Sequence, residues 1–554
     1  MQKSDREIPK PSHFPALECG LAFLVTAAAI ALHLVFMFHA GAPWRDEINE
    51  INLAAMPTLR DAWAHDSFPV LWIFVLRIWS SLGLGSDSGL RLLGCLIGLA
   101  SIGILWFAAR RLKFKIPFFS LLLLGYSSSM IRWGDSIRPW GLAIALILLT
   151  FALVWSVVES PTRKNFLFAT MAAVASVQCI YYNAILLLAI CAGVFVVTLR
   201  NRSWKALGLV FGIGLIAALS LLPYIGTVNR AMDVYLVMQQ PSFDVGTFCE
   251  KISDALAPAD EFGKFGVWLW TTLAFGSVML AFFCQIRPSI FKATPAQKNL
   301  LLFSVTTLIV GVVAYFLFLQ RVRLATQAWY YIALMAVAAL AIDAILSVLA
   351  NHKAGRIFRG IVVVGAIGVT FFPVLKQVHS RQTNVDVLAN ELKKVAGQND
   401  LILVNPWYAG LSFDRYYKGA TPWMTIPPMD DHKTHRYDLI KSAMMMPDQN
   451  EPMRPVLEKI ADTLKSGARV WLVGGVHLMS PDELAGGPPK LPPAPNSPSG
   501  WADTEYYEEW SQQAAFFLQE HAPRIEKYNP PLEGPVSEQE FVGMGFAEGW
   551  REKP

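Results

Sequence analysis

The chain has 554 residues, 54% of them hydrophobic and 16% charged. Soluble domains carry roughly 25% charge, so a soluble protein is excluded and an integral membrane protein is expected. The net charge of +5 is small and its basic residues fall in short clusters between apolar runs, which excludes a nucleic-acid partner. The six cysteines show neither zinc-site spacing nor a disulfide framework. Cys19, Cys95, Cys179, Cys191 and Cys284 lie in or at apolar runs, and Cys249 stands in a polar loop.

Lys3, Arg6 and Lys10 precede the first apolar run, Cys19 to Phe38. That run is longer than the roughly 7–15 residues of a signal-peptide core, so it reads as a retained first span, despite the faint cleavage pattern Ala40-Gly41-Ala42. The loop 40–89 follows and opens with GAPWRDEINEINLAAMP (41–57). Further apolar runs occupy 90–109, 116–131, 138–157, 166–181, 183–199, 206–226, 266–286, 299–319, 328–350 and 360–376, for about 11 spans in all. Basic clusters at 110–115, 163–164, 200–205, 287–298 and 353–359 belong on the cytoplasmic side with the N-terminus. An even number of crossings must separate two cytoplasmic clusters, so 166–199 is two spans, broken at Tyr181-Tyr182-Asn183. The loops 40–89, 132–138, 227–264 and 320–327, and everything after 376, then face outward.

Residues 377–554 are polar, free of cysteine and rich in turns. VDVLANELKKVAG (385–397) has the period of an amphipathic helix, and DLILVN (400–405) and RVWLVGG (469–475) read as buried strands. WADTEYYEEWSQQAAFFLQEH (501–521) is a further helix, and the Pro-rich 488–499 a linker or exposed loop. The fold class is thus mostly α: a polytopic membrane module, 1–376, followed by an extracytoplasmic α/β domain, 377–554. No Gly-rich phosphate loop suggests nucleotide binding.

Chemistry is concentrated at the outer boundary. Asp46 and Glu47 stand within a turn or so of the first span, where uncompensated carboxylates are unfavourable. A structural reading is that Asp46 caps a short interfacial helix whose Ile48, Ile51 and Ala55 share one face. Arg132 and Arg138 in the second outward turn, and Arg321 and Arg323 at the mouth of the tenth span, lie outside against the topological trend. His65 and Asp66 add polar groups just before an aromatic stretch. There Trp63, Phe68, Trp72 and Trp79 suit either sugar stacking or interfacial anchoring.

In this order and on this side of the membrane, the motifs resemble those of the GT-C-fold, polyprenyl-phosphate-sugar-dependent glycosyltransferases. That superfamily includes the protein O-mannosyltransferases and the lipid A aminoarabinose and galacturonic acid transferases. Asp46-Glu47 is similar to the acidic pair after their first span. His65, Pro69-Val70-Leu71-Trp72, Gly85, Arg91-Leu92 and Arg110-Arg111 resemble their H-x-x-P-L-Y-Y…G…R-L…A-R-R segment. IRWGDSIRPWGLAIAL (131–146) resembles their A-R-P-Y-A-L segment with Trp140 for Tyr, and RVRLATQAWYYIALMAVAAL (321–340) their late R-Y span, with Gln327-Ala328-Trp329 where an arginine is usual. FDRYYKG (413–419) resembles a recurrent piece of the outer domain.

The resemblance implies transfer of a sugar from a polyprenyl phosphate to a hydroxyl of a lipid, glycan or protein acceptor at the outer membrane surface, and the cysteine-free outer domain with the positive-inside topology suits a bacterial inner membrane. Asp46 is the base by position. Glu47 is the alternative base, or orients the acceptor or a divalent metal, for which the requirement stays open. One base and one displacement imply inversion at the anomeric carbon. Arg138, with Arg321 and Arg323, would hold the lipid phosphate. His65, Asp66 and Asp135 are candidate donor or acceptor contacts, Asp135 being also placed to pair with Arg138. Two other readings are a transporter of lipid-linked sugars, which would use intramembrane groups such as His33 and Asp343, and a catalytically silent relative.

Overall fold

The computed structural model describes residues 14–234, 242–256, 263–287, 289–323, 325–448, 450–476, 478–490 and 503–552. Among them nine helices are long and apolar enough to cross a bilayer. The first is α1 (Phe14–His39) and, after the short loop helices α2 (Arg45–Ala55), α3 (Leu59–His65) and α4 (Leu71–Trp79), the second is α5 (Asp87–Arg111). After α6 (Phe118–Gly125) and α7 (Ser128–Gly134) come α8 (Pro139–Glu159), the shorter α9 (Arg163–Val177), α10 (Asn183–Arg200) and α11 (Trp204–Leu219), which α12 (Ile225–Val234) prolongs. After α13 (Val245–Leu256) the bundle closes with α14 (Gly263–Ile286), α15 (Pro295–Val322), α16 (Ile332–Leu346) and α17 (Lys353–Val378).

Two of the eleven expected spans are shorter than a bilayer. Run 116–131 is broken at Tyr126-Ser127, where the Ser127 hydroxyl caps α7 by accepting from Met130 N–H at 3.4 Å. Run 166–181 gives only the 15 residues of α9, about 22 Å of helix against a hydrocarbon core of about 30 Å. The expected break between α9 and α10 is present, at residues 178–182. The stretch 227–264 holds α13, and Cys249 sits on that helix rather than in a loop.

Burial orders the bundle. α16 is enclosed on every side and α8 nearly so, which fits their continuous apolar sequences. α11, α14 and α17 turn large apolar side chains such as Phe211, Phe275 and Ile361 outward, as lipid-facing helices do. The buried groups His33 and Asp343 have partners: His33 Nδ1 meets Asp135 at 2.7 Å, and Asp343 accepts from Ser120 and lies 3.7 Å from Arg359.

Beyond the bundle, α18 (Val385–Val395) leads into a five-stranded sheet of order β2-β1-β3-β5-β4, built from β1 (Leu401–Val404), β2 (Trp423–Thr425), β3 (Val470–Val473), β4 (Arg524–Tyr528) and β5 (Met544–Glu548). β1 pairs in parallel with β2 and β3, and β3, β5 and β4 run antiparallel. The two strands legible as apolar runs, β1 and β3, are buried along their whole length at the centre. Packed on the sheet are α19 (Ala409–Tyr416), α20 (Tyr437–Met444), α21 (Arg454–Lys465) and α23 (Asp503–His521), with α22 (Pro481–Ala485) a short turn before the last. The Pro-rich 488–499 falls mostly outside the described residues.

The sheet domain is joined to one face of the bundle by polar contacts. Arg415 and Tyr416 donate to Asp87 at 2.6 and 2.9 Å, Lys441 meets Asp233 at 3.0 Å, and Gln382 N–H donates to Ala40 O at 2.8 Å.

Candidate active site at the helix after the first span

The α2 sequence RDEINEINLAA repeats polar groups every three residues, and the repeat forms two stripes. Glu47 and Glu50 face the bundle, and Asp46, Asn49 and Asn52 face the C-terminal domain. The expected interfacial helix is therefore present, but its N-cap is Trp44, not Asp46.

Glu47 is completely buried and both its oxygens are saturated. Arg91 of α5 donates to them at 2.7 and 2.8 Å, Ile137 N–H to Oε1 at 2.8 Å, and Trp44 N–H to Oε2 at 3.1 Å. Arg91 also donates to Gly41 O and Ala42 O. A carboxylate so committed ties α1, α2, α5 and the turn before α8 together and has no lone pair left for an acceptor or a metal.

Asp46 is placed differently. Its side chain remains 17% exposed, and no hydrogen-bonding shell encloses it. Nε2 of His435 meets Oδ1 at 3.1 Å, Arg138 Nη2 lies 3.9 Å from Oδ2, and Arg45 Nε 3.7 Å from Oδ1. Burial pushes this carboxyl up, but Arg138, His435 and Arg45 outweigh it and hold Asp46 well below the usual carboxylate range.

Arg138 is the N-cap of α8, fixed by Pro139 in the first turn. It donates to Glu50 Oε1 at 2.8 Å and to Asp46 O at 3.1 Å, between the rings of Phe68 (5.7 Å) and Trp140 (6.0 Å). It thus serves more than one carboxyl. Burial pushes Glu50 up to about 8, with Asp66 and Asp46 adding to the rise against the pull of Arg138. Burial likewise pushes Asp66 up to about 7, although Phe68 N–H donates to it at 2.9 Å. One oxygen of each, Glu50 Oε2 and Asp66 Oδ2, is buried without a partner among the described residues. Asp46 is therefore the member of this acidic cluster that stays ionised, and Glu50 and Asp66 are the ones able to carry a proton near neutrality.

The other sequence candidates lie elsewhere. Asp135 pairs with His33 and not with Arg138, because its turn points back into the bundle, where Gly94 and Gly98 of α5 leave room for it. His65 is exposed at the end of α3 and bonds Asp61 O at 2.9 Å. Arg321 and Arg323 are exposed at the end of α15, and among the described residues neither pairs with an acid. Arg132 donates to Gln382 and Ser537 and so joins bundle to domain. Of the aromatic residues, Phe68 and Trp140 flank Arg138, and Trp329 packs with Trp44 and Trp133 at 5.7 and 4.7 Å. Among the described residues no group of three or more His, Cys, Asp or Glu side chains is arranged to hold a metal ion.

His435 was not legible as a site residue. It lies 389 positions from Asp46 in an irregular loop, DDHKTHRY, where no periodicity marks it.

No family model matches the chain, and no curated protein matches it. Among solved structures the chain is similar to ArnT from Cupriavidus metallidurans bound to undecaprenyl phosphate, with a TM-score of 0.51 and 13% identity over 84% of this chain and 94% of that one. The same protein in the apo state gives 0.47 and 14% over the same shares. The Archaeoglobus fulgidus oligosaccharyltransferase, in complex with Zn and sulfate, gives 0.49 and 11% over 94% of this chain and 73% of that one. At 13% identity the first likeness shows the fold, which is the GT-C fold expected from the motifs.

Proposed function

We propose that the chain is an inverting membrane glycosyltransferase that moves a sugar from a polyprenyl phosphate to an acceptor hydroxyl at the outer face of the membrane. The observation that carries the reading is the state of Asp46: a partly open carboxylate, held ionised by cations, beside an arginine fixed at a helix start. The similarity to a GT-C protein bound to undecaprenyl phosphate supports a donor of that class.

In this reading the acceptor oxygen attacks the anomeric carbon as the bond to the prenyl phosphate breaks. The hydroxyl proton passes to Asp46 and the prenyl phosphate leaves as the anion. A carboxylate with so low a proton affinity is a weak base, but it suffices when proton transfer is late. Once the acceptor oxygen bonds carbon, its proton becomes strongly acidic. Arg138 receives the phosphate charge. A proton on Glu50 loosens its hold on the guanidinium and frees that fork for the phosphate. Arg321 and Arg323 are exposed cations that an arriving lipid phosphate meets first. Glu47 is assigned to scaffold rather than to chemistry.

The test is transfer from a panel of undecaprenyl-phosphate-linked sugars into native membrane extract, with wild type and Asp46→Asn side by side. Release of prenyl phosphate and incorporation of sugar by wild type, with loss of at least about a hundredfold in Asp46→Asn, supports the reading. Unchanged transfer in the variant removes Asp46 as the base, and no transfer by wild type removes the reaction.

A further inference from the structure

We propose that His435 is a positioning residue for Asp46, so that the C-terminal domain completes the active centre. The inference rests on the glycosyltransferase reading above and concerns the same carboxylate.

The contact is built from both sides. On α2, Asp46, Asn49 and Asn52 recur every three residues on one face, and each meets the same loop. Asp46 Oδ1 meets His435 Nε2 at 3.1 Å, Asn49 Oδ1 accepts from His435 N–H at 3.0 Å, and Asn52 Nδ2 donates to Lys433 O at 2.7 Å. The loop is braced from within. Arg436 spans Asp431 at 3.0 Å and Asp438 at 2.9 and 2.7 Å. The imidazole packs against Tyr437 and the buried Trp407, with centroids at 5.8 and 6.3 Å. A side chain brought to a carboxylate by that many separate restraints has little freedom to leave it.

The bundle orients one oxygen of Asp46 loosely, since Arg138 reaches only to 3.9 Å. His435 supplies the hydrogen bond that fixes the other. With Nε2 donating to Oδ1, the remaining lone pairs of Asp46 are directed rather than free to rotate, which is what a late proton transfer needs. His435 acts through Asp46 and does not touch the reacting atoms.

The experiment uses full-length protein in nanodiscs and whichever undecaprenyl-phosphate-linked sugar of the panel wild type turns over. Wild type is compared with His435→Ala, His435→Gln and Lys441→Ala. Gln keeps an N–H donor near the Nε2 position, and Lys441→Ala removes a domain-to-bundle contact at Asp233 instead. His435→Ala should lower kcat about tenfold to a hundredfold, the value of one charge-assisted hydrogen bond, with KM for the donor unchanged. His435→Gln should recover most of kcat, and Lys441→Ala should stay near wild type. If His435→Ala turns over as wild type while Asp46→Asn is dead, the inference falls and the function stands. If Lys441→Ala loses as much as His435→Ala, or Gln fails to restore kcat in folded protein, the contact is mere docking and the inference falls. If wild type turns over no donor, the functional reading fails and this inference with it.

Discussion

Adjacent acids in one helical turn have opposite surroundings. Glu47 closes a buried pair with Arg91, whose side chain is 4% exposed. Removing one partner of such a pair leaves the other charge buried alone, at a cost of about 3–5 kcal/mol. Glu47→Gln is therefore expected to lower the thermal midpoint in detergent markedly and to reduce folded yield. Asp46 stands among cations and near two further carboxyls, Glu50 and Asp66. Replacing it by Asn keeps the shape but gives up the attraction of Arg138, His435 and Arg45 for its charge, offset in part by relief of its repulsion of Glu50. Asp46→Asn should cost roughly 1–2 kcal/mol, less than Glu47→Gln, while losing transfer. Thermal unfolding of the two single variants checks this, and equal destabilisation would show that the two acids share one role.

At the scale of elements, the start of α8 is set by a close approach rather than by a side chain. A Cβ on Gly141 would lie 1.8 Å from Gly134 O, a backbone atom at the end of α7. Nothing flexible can yield there, so Gly141→Ala must push α7 and α8 apart. Arg138 caps α8 three residues earlier and would move with it. If Arg138 receives the lipid phosphate, undecaprenyl phosphate should raise the melting midpoint of wild type by mass action and raise that of Gly141→Ala much less. An equal ligand-induced shift would detach the α7–α8 contact from phosphate binding. The broken helix α6–α7 makes this approach possible, because its break at Ser127 re-aims the segment ending at Gly134. The break falls at Gly125-Tyr126-Ser127-Ser128-Ser129, a turn-prone interruption of the otherwise apolar run 116–131 that mean hydropathy passes over, and Ser127 caps α7 where the chain bends.

At the scale of the whole molecule, what the sequence showed and what it hid divide by range. Nine of the eleven expected spans, the first apolar helix among them, and the central strands β1 and β3 follow from local pattern, because burial in lipid or in a sheet centre imposes a continuous apolar signal, and Asp46 stood out by its place just after the first of them. Edge strands β2 and β4 carry polar or short sequences, WMT and RIEKY, and gave no such signal. The separate settings of Glu47 and Asp46, and the arrival of His435, depend on contacts between distant segments, to which local periodicity is blind. The same holds for Glu540, which the sequence did not single out. It lies buried where the C-terminal domain meets α2, accepting from Arg45 N–H at 3.2 Å and from the Ser412 hydroxyl at 3.2 Å. Burial pushes its carboxyl up to about 7 from an ordinary 4.5, against the pull of Arg45 and its hydrogen bonds. The sign then follows. Below about pH 4.5 the group is protonated whether the contact is intact or broken, and its stabilisation is fully present. Between there and about pH 7 only the folded form keeps the proton. Stability is lost as pH rises through that window, by a total on the order of 3 kcal/mol. Thermal unfolding followed from pH 5 to pH 8 should therefore show a decline that Glu540→Gln, which cannot ionise, makes shallower, the remainder belonging to Glu50 and Asp66, whose carboxyls burial raises in the same way. A variant that keeps the wild-type slope would place the pH dependence on other groups and leave the docking of the domain indifferent to Glu540.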